Sequence, residues 1–250
     1  MIVNDSHFSK LINGKFEFIE SGYGTGKYNM DFDMQRTIEC SEGRALPMFR
    51  IYGWKPWAVS LGYNQKEDEI DKELCKNHEL DIVRRPTGGR AVLHANELTY
   101  SVVIPLSPEK NIHTLYRDIH FLLLDGLRRL GSQEIDFEKS QPNFRELYQR
   151  DTISVSCFAS SARYEIMARG KKIVGSAQRV FGNVLLQHGS ILIGKGHELL
   201  ADVSNLQDEA KRDILKQYIL NHSITLEEIL NRQLSFYECG EAIKEAVLFG

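Results

Sequence analysis

The sequence contains no CxxC pair, no internal repeat, no low-complexity tract and no apolar run approaching the roughly 18 residues that can cross a bilayer. Each absence removes a class of protein. Its four cysteines, Cys40, Cys75, Cys157 and Cys239, are spaced too widely for a structural zinc site, so no metal is expected. The opening MIVNDSHFSKLINGKFEF lacks the unbroken apolar core of a signal peptide, and cysteines kept in the cytoplasm are expected as reduced thiols and not as a disulfide framework. A cytoplasmic protein with reduced thiols and no membrane partner is the expectation. A net charge of -3 gives no basic excess, which argues against nucleic acid as partner. Six scattered prolines mark no linker.

What is present is a globular composition, 42% hydrophobic and 26% charged, enough apolar residues to fill one large core. FEFIESG reads as a strand, and Met30, Met34 and Ile38 then recur at i, i+4, i+8 as one helix face ending near Gly43. PMFRIYGWKPWAVSLGYNQ predicts two strands around a Gly-Trp-Lys-Pro turn. Asp68 to Leu80 carries Ile70 and Leu74 at helical spacing, followed by strands at DIVRR and TYSVVIP with the loop PTGGR between them. The longest helix is predicted from about Pro108 to Leu130, and residues 132–163 read as a long polar loop, a kind that often carries function. RYEIMA, KKIVGSAQRV and LLQHGSILI predict strands joined by hairpin turns. From Asp208 the pattern is helical, with Ile214, Leu215, Tyr218 and Ile219 on one face and capping boxes at Thr225/Glu228 and Ser235/Glu238. The fold class is α+β, a mixed or antiparallel sheet core flanked by helices. Residues 1–200 form the main domain, and residues 201–250 a small helical subdomain packed on it.

Three segments could carry chemistry. Arg84 to His94 (RRPTGGRAVLH) gathers cations around a glycine pair, which suits phosphate or carboxylate binding and equally suits a solvated basic turn. Strand alternation sends Lys171 and Lys172 to opposite faces, so one can reach a cleft beside the small residues Gly175, Ser176 and Ala177 while the other stays at the surface. Cys157 lies among small polar residues in SVSCFASSARY, a setting open both to a reactive thiol and to a small buried one.

Taken together, ESGYGTGKYNMDFDMQ, RIYGWKPWAVSLGYNQ, RRPTGGRAVLHANELTYSVVIP and GKKIVGSAQRVFGNVLLQHGSILI resemble, in order and spacing, the biotin/lipoate protein ligase and octanoyltransferase superfamily. Within it the chain looks most like the cysteine-dependent octanoyl-acyl-carrier-protein:protein octanoyltransferases. The resemblance implies that superfamily's catalytic-domain fold, a catalytic pair in Cys157 and Lys172, and substrate-binding roles for Arg85, Gly88, Gly89, Arg90, His94, Gly175, Ser176 and Ala177. It further implies octanoyl-acyl carrier protein as donor, and as acceptor a lipoyl-domain protein such as a glycine cleavage H protein or a 2-oxoacid dehydrogenase E2. No cofactor is required, because a thioester donor is already activated. Two departures stand out: Ala95 follows His94 where ligases commonly have an acidic residue, and Phe16 stands where many relatives have tryptophan. The alternatives are an ATP-dependent lipoate ligase working through lipoyl-adenylate, an amidotransferase between lipoyl domains, and a carrier-binding module without chemistry. The ligase calls for a larger C-terminal domain than the residues after 200 supply.

Overall fold

A computed structural model describes residues 1–108, 111–137 and 164–249. Cys157 and most of the predicted 132–163 loop lie outside the described residues. The strands are β1 (Ile2–Val3), β2 (Phe16–Gly24), β3 (Met48–Trp54), β4 (Ala58–Leu61), β5 (Asp81–Arg84), β6 (Val92–His94), β7 (Glu97–Pro105), β8 (Asp136–Phe137), β9 (Ile166–Ala168), β10 (Lys171–Lys172), β11 (Val174–Phe181) and β12 (Val184–Leu192). The helices are α1 (His7–Ile12), α2 (Gly26–Ser41), α3 (Lys72–Asn77), α4 (Ile112–Arg129), α5 (Glu209–His222), α6 (Leu226–Leu230) and α7 (Phe236–Phe249).

Six strands form the main sheet in the order β1-β2-β3-β7-β12-β11, with β2 and β3 parallel and the other neighbours antiparallel. A small sheet, β5-β4-β6, stands beside it, and β10-β9-β8 form a third. The mixed α+β architecture expected from the sequence is the one observed. Because side chains alternate along a strand, β7 sends Leu98, Tyr100, Val102 and Ile104 to one face, where they join Ile119, Leu123 and Leu127 of α4 and Ile243 and Val247 of α7 in the largest core. At about 1.5–3 kcal/mol for each fully buried aliphatic side chain, this face dominates the packing energy. The other face of β7 carries Thr99, Ser101 and Val103 toward α2 and the small sheet.

Local details depart from the sequence reading in three places. In α2 the buried positions are Gly26, Asn29, Met30, Asp33, Thr37 and Cys40, while Ile38 is 48% exposed, because polar groups of this helix are drawn inward by Arg50. Ile70 is not helical: it lies in extended backbone, bridged to Ser204, and α3 starts only after Asp71, whose carboxylate accepts from the Glu73 and Leu74 amides. In α5, Leu215 and Ile219 are buried but Ile214 is 56% exposed. The two strands either side of Gly-Trp-Lys-Pro do form, but in different sheets, with the Lys55–Pro56 peptide cis between them. Their separation creates the gap in which the candidate site lies.

Candidate functional site

Between the main and small sheets lies a narrow cavity of about 30 Å³, partly open to solvent. Register builds its floor. Tyr52, Thr99, Ser190 and Gly175 fall in one cross-strand row, and Arg50, Ser101, His188 and Ala177 in the next. Gly175 and Ala177 at the row ends leave space that larger side chains would fill, so these two line the cavity with Ser176 between them, although Lys172, beside which the sequence placed them, does not. Met30, Trp54 and Val92 add apolar wall.

The small sheet supplies the opposite wall. His94 stacks on Trp54 with ring centroids 4.0 Å apart, and its Nε2 lies 2.8 Å from the Ser60 hydroxyl. Burial holds the imidazole pKa down, against the pull of Glu97, whose carboxylate stands 3.7 Å from Nδ1. Trp54 Nε1 donates to Thr99, which donates in turn to Glu97, so the indole is fixed edge-on.

Arg85 also lines the cavity, but its guanidinium donates to backbone. It reaches the Ser60 carbonyl at 2.8 Å, the Gly88 carbonyl at 2.8 Å and the Arg90 carbonyl at 2.6 Å. The arginine thereby shapes the Gly88–Arg90 loop. Gly89 has φ +93°, a conformation that favours glycine, and its carbonyl lies where a Cβ on Gly62 would have to be, at 1.9 Å. Gly88 faces open space. Arg90 is not among the cavity lining and pairs with Glu69 at 3.6 Å. Thr87 ties the loop to β12 through a 2.6 Å hydrogen bond with His188 Nε2.

Sequence reading missed the charged group beneath this floor. Arg50 and Asp33, both fully buried, pair at 2.8 Å. Arg50 also donates to Ser21 and Asn29 and lies over the rings of Tyr52 and Phe32, at 4.0 and 4.2 Å. Asp33 accepts from Ser101 and Tyr52, and His188 Nδ1 stands 3.6 Å away. Burial raises the Asp33 carboxyl pKa, but His188 and Arg50 outweigh it and leave the group below its ordinary value. An arginine in the middle of the apolar strand Met48–Trp54 was the available signal.

Lys172 is buried and its Nζ donates to Glu165 at 2.7 Å, whereas Lys171 donates to the Leu220 carbonyl. The two lysines do occupy different environments. Lys172 is not among the residues lining the cavity; it ends β10, two residues before β11 begins at Val174, close enough to His120 of α4 to help lower that imidazole's pKa. Cys40, Cys75 and Cys239 are all buried. Burial pushes their thiols up, that of Cys75 to about 11, which suits inert packing. Among the described residues no cluster of three His, Cys, Asp or Glu side chains could hold a metal ion, and no helix is long and apolar enough to cross a membrane.

Comparison with solved structures gives the same fold. A bipartite lipoate protein ligase from Thermoplasma acidophilum, described with its E2 lipoyl domain, superposes with TM-score 0.69 at 22% identity, covering 92% of this chain and 81% of the other. A lipoate-protein ligase A bound with ATP gives 0.63 at 24%, covering 92% and 82%. Sequence relatives are nearer. Octanoyltransferase LipM of Geobacillus kaustophilus is 39% identical over 232 residues, 91% of this chain and 83% of that one. The Bacillus subtilis protein of the same name is 34% identical over 235 residues, covering 92% and 84%. The sequence profile described as "Lipoyl protein ligase A/B catalytic domain" matches residues 25–248, and the chain belongs to that family.

Proposed function

We propose that this protein, working in the cytoplasm, transfers an octanoyl group from octanoyl-acyl carrier protein to a lysine of a lipoyl-domain protein. One observation carries the reading: relatives named for octanoyl transfer match nine-tenths of a chain whose central cavity is narrow and largely apolar. Seven methylene or methyl groups at about 0.8 kcal/mol each give roughly 5–6 kcal/mol, enough to select a medium chain over a short one.

In this reading the Cys157 thiolate attacks the donor thioester and releases the carrier thiol. The acceptor lysine amine then attacks the acyl-Cys157 carbonyl, forming the amide and freeing the thiol. The Lys172 ammonium favours the thiolate and stabilises the tetrahedral oxyanion. Arg85, which lines the cavity, holds the Gly88–Arg90 loop beside the acyl site.

Intact-mass analysis after incubation with octanoyl-carrier protein, without acceptor, tests this. One octanoyl group should be added and hydroxylamine should remove it. Cys157→Ala should carry none, while Cys40→Ala, Cys75→Ala and Cys239→Ala should each still carry one. Transfer that instead needs ATP and free acid, and survives Cys157→Ala, would replace the reading with a ligase. Lys172→Ala should abolish transfer, and Lys171→Ala should leave it nearly unchanged.

A further inference from the structure

On the sheet face turned away from the cavity, toward α4, four side chains form a hydrogen-bonded chain. Tyr100, Gly189 and Ser176 occupy one register row across β7, β12 and β11. Tyr100 and Ser176 are two strands apart, yet their oxygens meet at 2.7 Å. They meet because Gly189 has no side chain: a Cβ there would stand 2.6 Å from Ser176 Oγ and 2.7 Å from Tyr100 Cε1. Gln187 Nε2 donates to the Tyr100 oxygen at 2.9 Å. Beyond Ser176 stands His120, with Nε2 3.0 Å from the serine oxygen and Nδ1 2.7 Å from the Tyr116 carbonyl.

The carbonyl end dictates the direction. A carbonyl only accepts, so Nδ1 carries the imidazole proton, and Nε2 of the neutral ring must accept from Ser176. Ser176 then accepts from Tyr100, whose oxygen accepts from the Gln187 amide. His120 is fully buried, which pushes its pKa to about 4, with the Lys172 ammonium acting the same way. The ring is therefore neutral at physiological pH, as the chain requires.

We propose that His120 is a positioning residue of the acyl-transfer site: as a neutral acceptor it fixes Ser176, and with it the stretch from Lys172 to Ala177. This inference rests on the octanoyl-transfer reading. Ser176 lies four residues past Lys172 in a segment that lines the cavity, and His120 bonds Ser176 and feels the Lys172 charge. Releasing that anchor lets the lysine and the wall shift together, and a displacement near 1 Å at a reacting centre can cost about a hundredfold in rate.

The full chain is assayed with octanoyl-carrier protein as His120→Phe, which keeps a ring and removes the acceptor, as Ser176→Ala, which removes the donor, and as His120→Gln, which restores an oxygen acceptor. His120→Phe should lower kcat at least about tenfold with donor KM within about twofold, and His120→Gln should recover most of the loss. The double variant His120→Phe/Ser176→Ala should be no slower than the worse single one, because both break the same bond. Imidazole ¹⁵N spectra should show His120 as the Nδ1–H tautomer, not titrating between about pH 5.5 and 8. If wild type transfers and His120→Phe matches it, or if the two losses multiply, the inference is overturned and the reading stands. If wild type forms no octanoyl product, the reading falls. Should His120→Phe not fold, Ser176→Ala set against His120→Gln decides: a slow Ser176→Ala beside a near-normal His120→Gln supports the anchor, and equal rates overturn it. A His120 resonance titrating near 6.5 also overturns it.

Discussion

The two faces of the main sheet come from the same alternating strands and hold opposite contents. Toward α1, α4 and α7 the strands present Phe49, Ile51, Leu98, Val102 and Ile104, packed on aliphatic helix residues. Toward α2 and the small sheet they present Arg50, Thr99, Ser101, His188 and Ser190, all buried. Packing alone would favour the first arrangement on both sides, since buried polar groups are costly unless each finds a partner. The polar face persists where the chain also leaves a cavity. A fold tends to break its own local rules at the site of its chemistry, and this one does so chiefly on the cavity side, with the buried chain Gln187–Tyr100–Ser176–His120 as the exception on the helical side.

The largest expected effects test that division directly. Asp33→Ala strips the countercharge from a fully buried Arg50, and urea unfolding should show a loss of about 3–5 kcal/mol. Leu127→Ala, fully buried on the helical face, should cost about 2–5 kcal/mol through the cavity it leaves. The stability losses overlap, but the activities should not. Transfer per folded molecule should fall for Asp33→Ala, because Tyr52, Ser101 and His188 lose their anchor beneath the cavity, and should be unchanged for Leu127→Ala. Equal activity in the two variants would erase the distinction between the faces.

A second effect concerns His120, buried on the helical face. Its unfolded imidazole takes a proton near 6.5 and the buried one near 4, so between those values the unfolded chain binds more protons. Stability attached to the neutral ring is full above about 6.5 and is lost as pH falls toward 4. At about 1.4 kcal/mol per tenfold, the loss amounts to about 3 kcal/mol. His94 and His197, also lowered by burial, act in the same direction. Melting curves from pH 7 to 4.5 should slope downward with acidification, and His120→Gln should flatten part of that slope. An unchanged slope in the variant would place the acid sensitivity in the other histidines.

Much of this was legible because β-branched and aromatic runs bounded by turn residues announce strands, and the leucines of α4 keep an unbroken helical rhythm. The Lys171/Lys172 contrast followed from strand alternation. The polar face was harder to see. Asn29, Asp33 and Thr37 look like the solvent side of an amphipathic helix, and Arg50, Tyr52 and Ser101 on the facing strands draw Asn29 and Asp33 inward. Arg85 looked like a ligand contact because a guanidinium near two glycines suits an anion, yet its donors meet carbonyls that only the folded loop brings together. Interactions closing over long sequence separations leave no periodicity to read.

The smallest expected effect separates the two predicted capping boxes, both on the helical side. At Thr225 both arms form: its hydroxyl accepts from the Glu228 amide at 3.3 Å, and Glu228 accepts from the Thr225 amide at 2.9 Å. At Ser235 only one arm forms, the serine accepting from the Glu238 amide at 3.1 Å, because the Glu238 carboxylate turns instead to Arg232 at 2.6 Å. Thr225 is buried as well, so Thr225→Ala should cost about 1–2 kcal/mol and Ser235→Ala about 0.5–1 kcal/mol. Glu228→Gln weakens an acceptor the helix start uses, whereas Glu238→Gln removes only an exposed ion pair worth roughly 0–1 kcal/mol. Thermal melts should rank the four substitutions in that way, and octanoyl transfer per folded molecule should stay constant across them. Any of the four that slowed transfer without lowering the melting temperature would extend function on the helical side beyond the His120–Ser176 chain and blur the separation between the two faces.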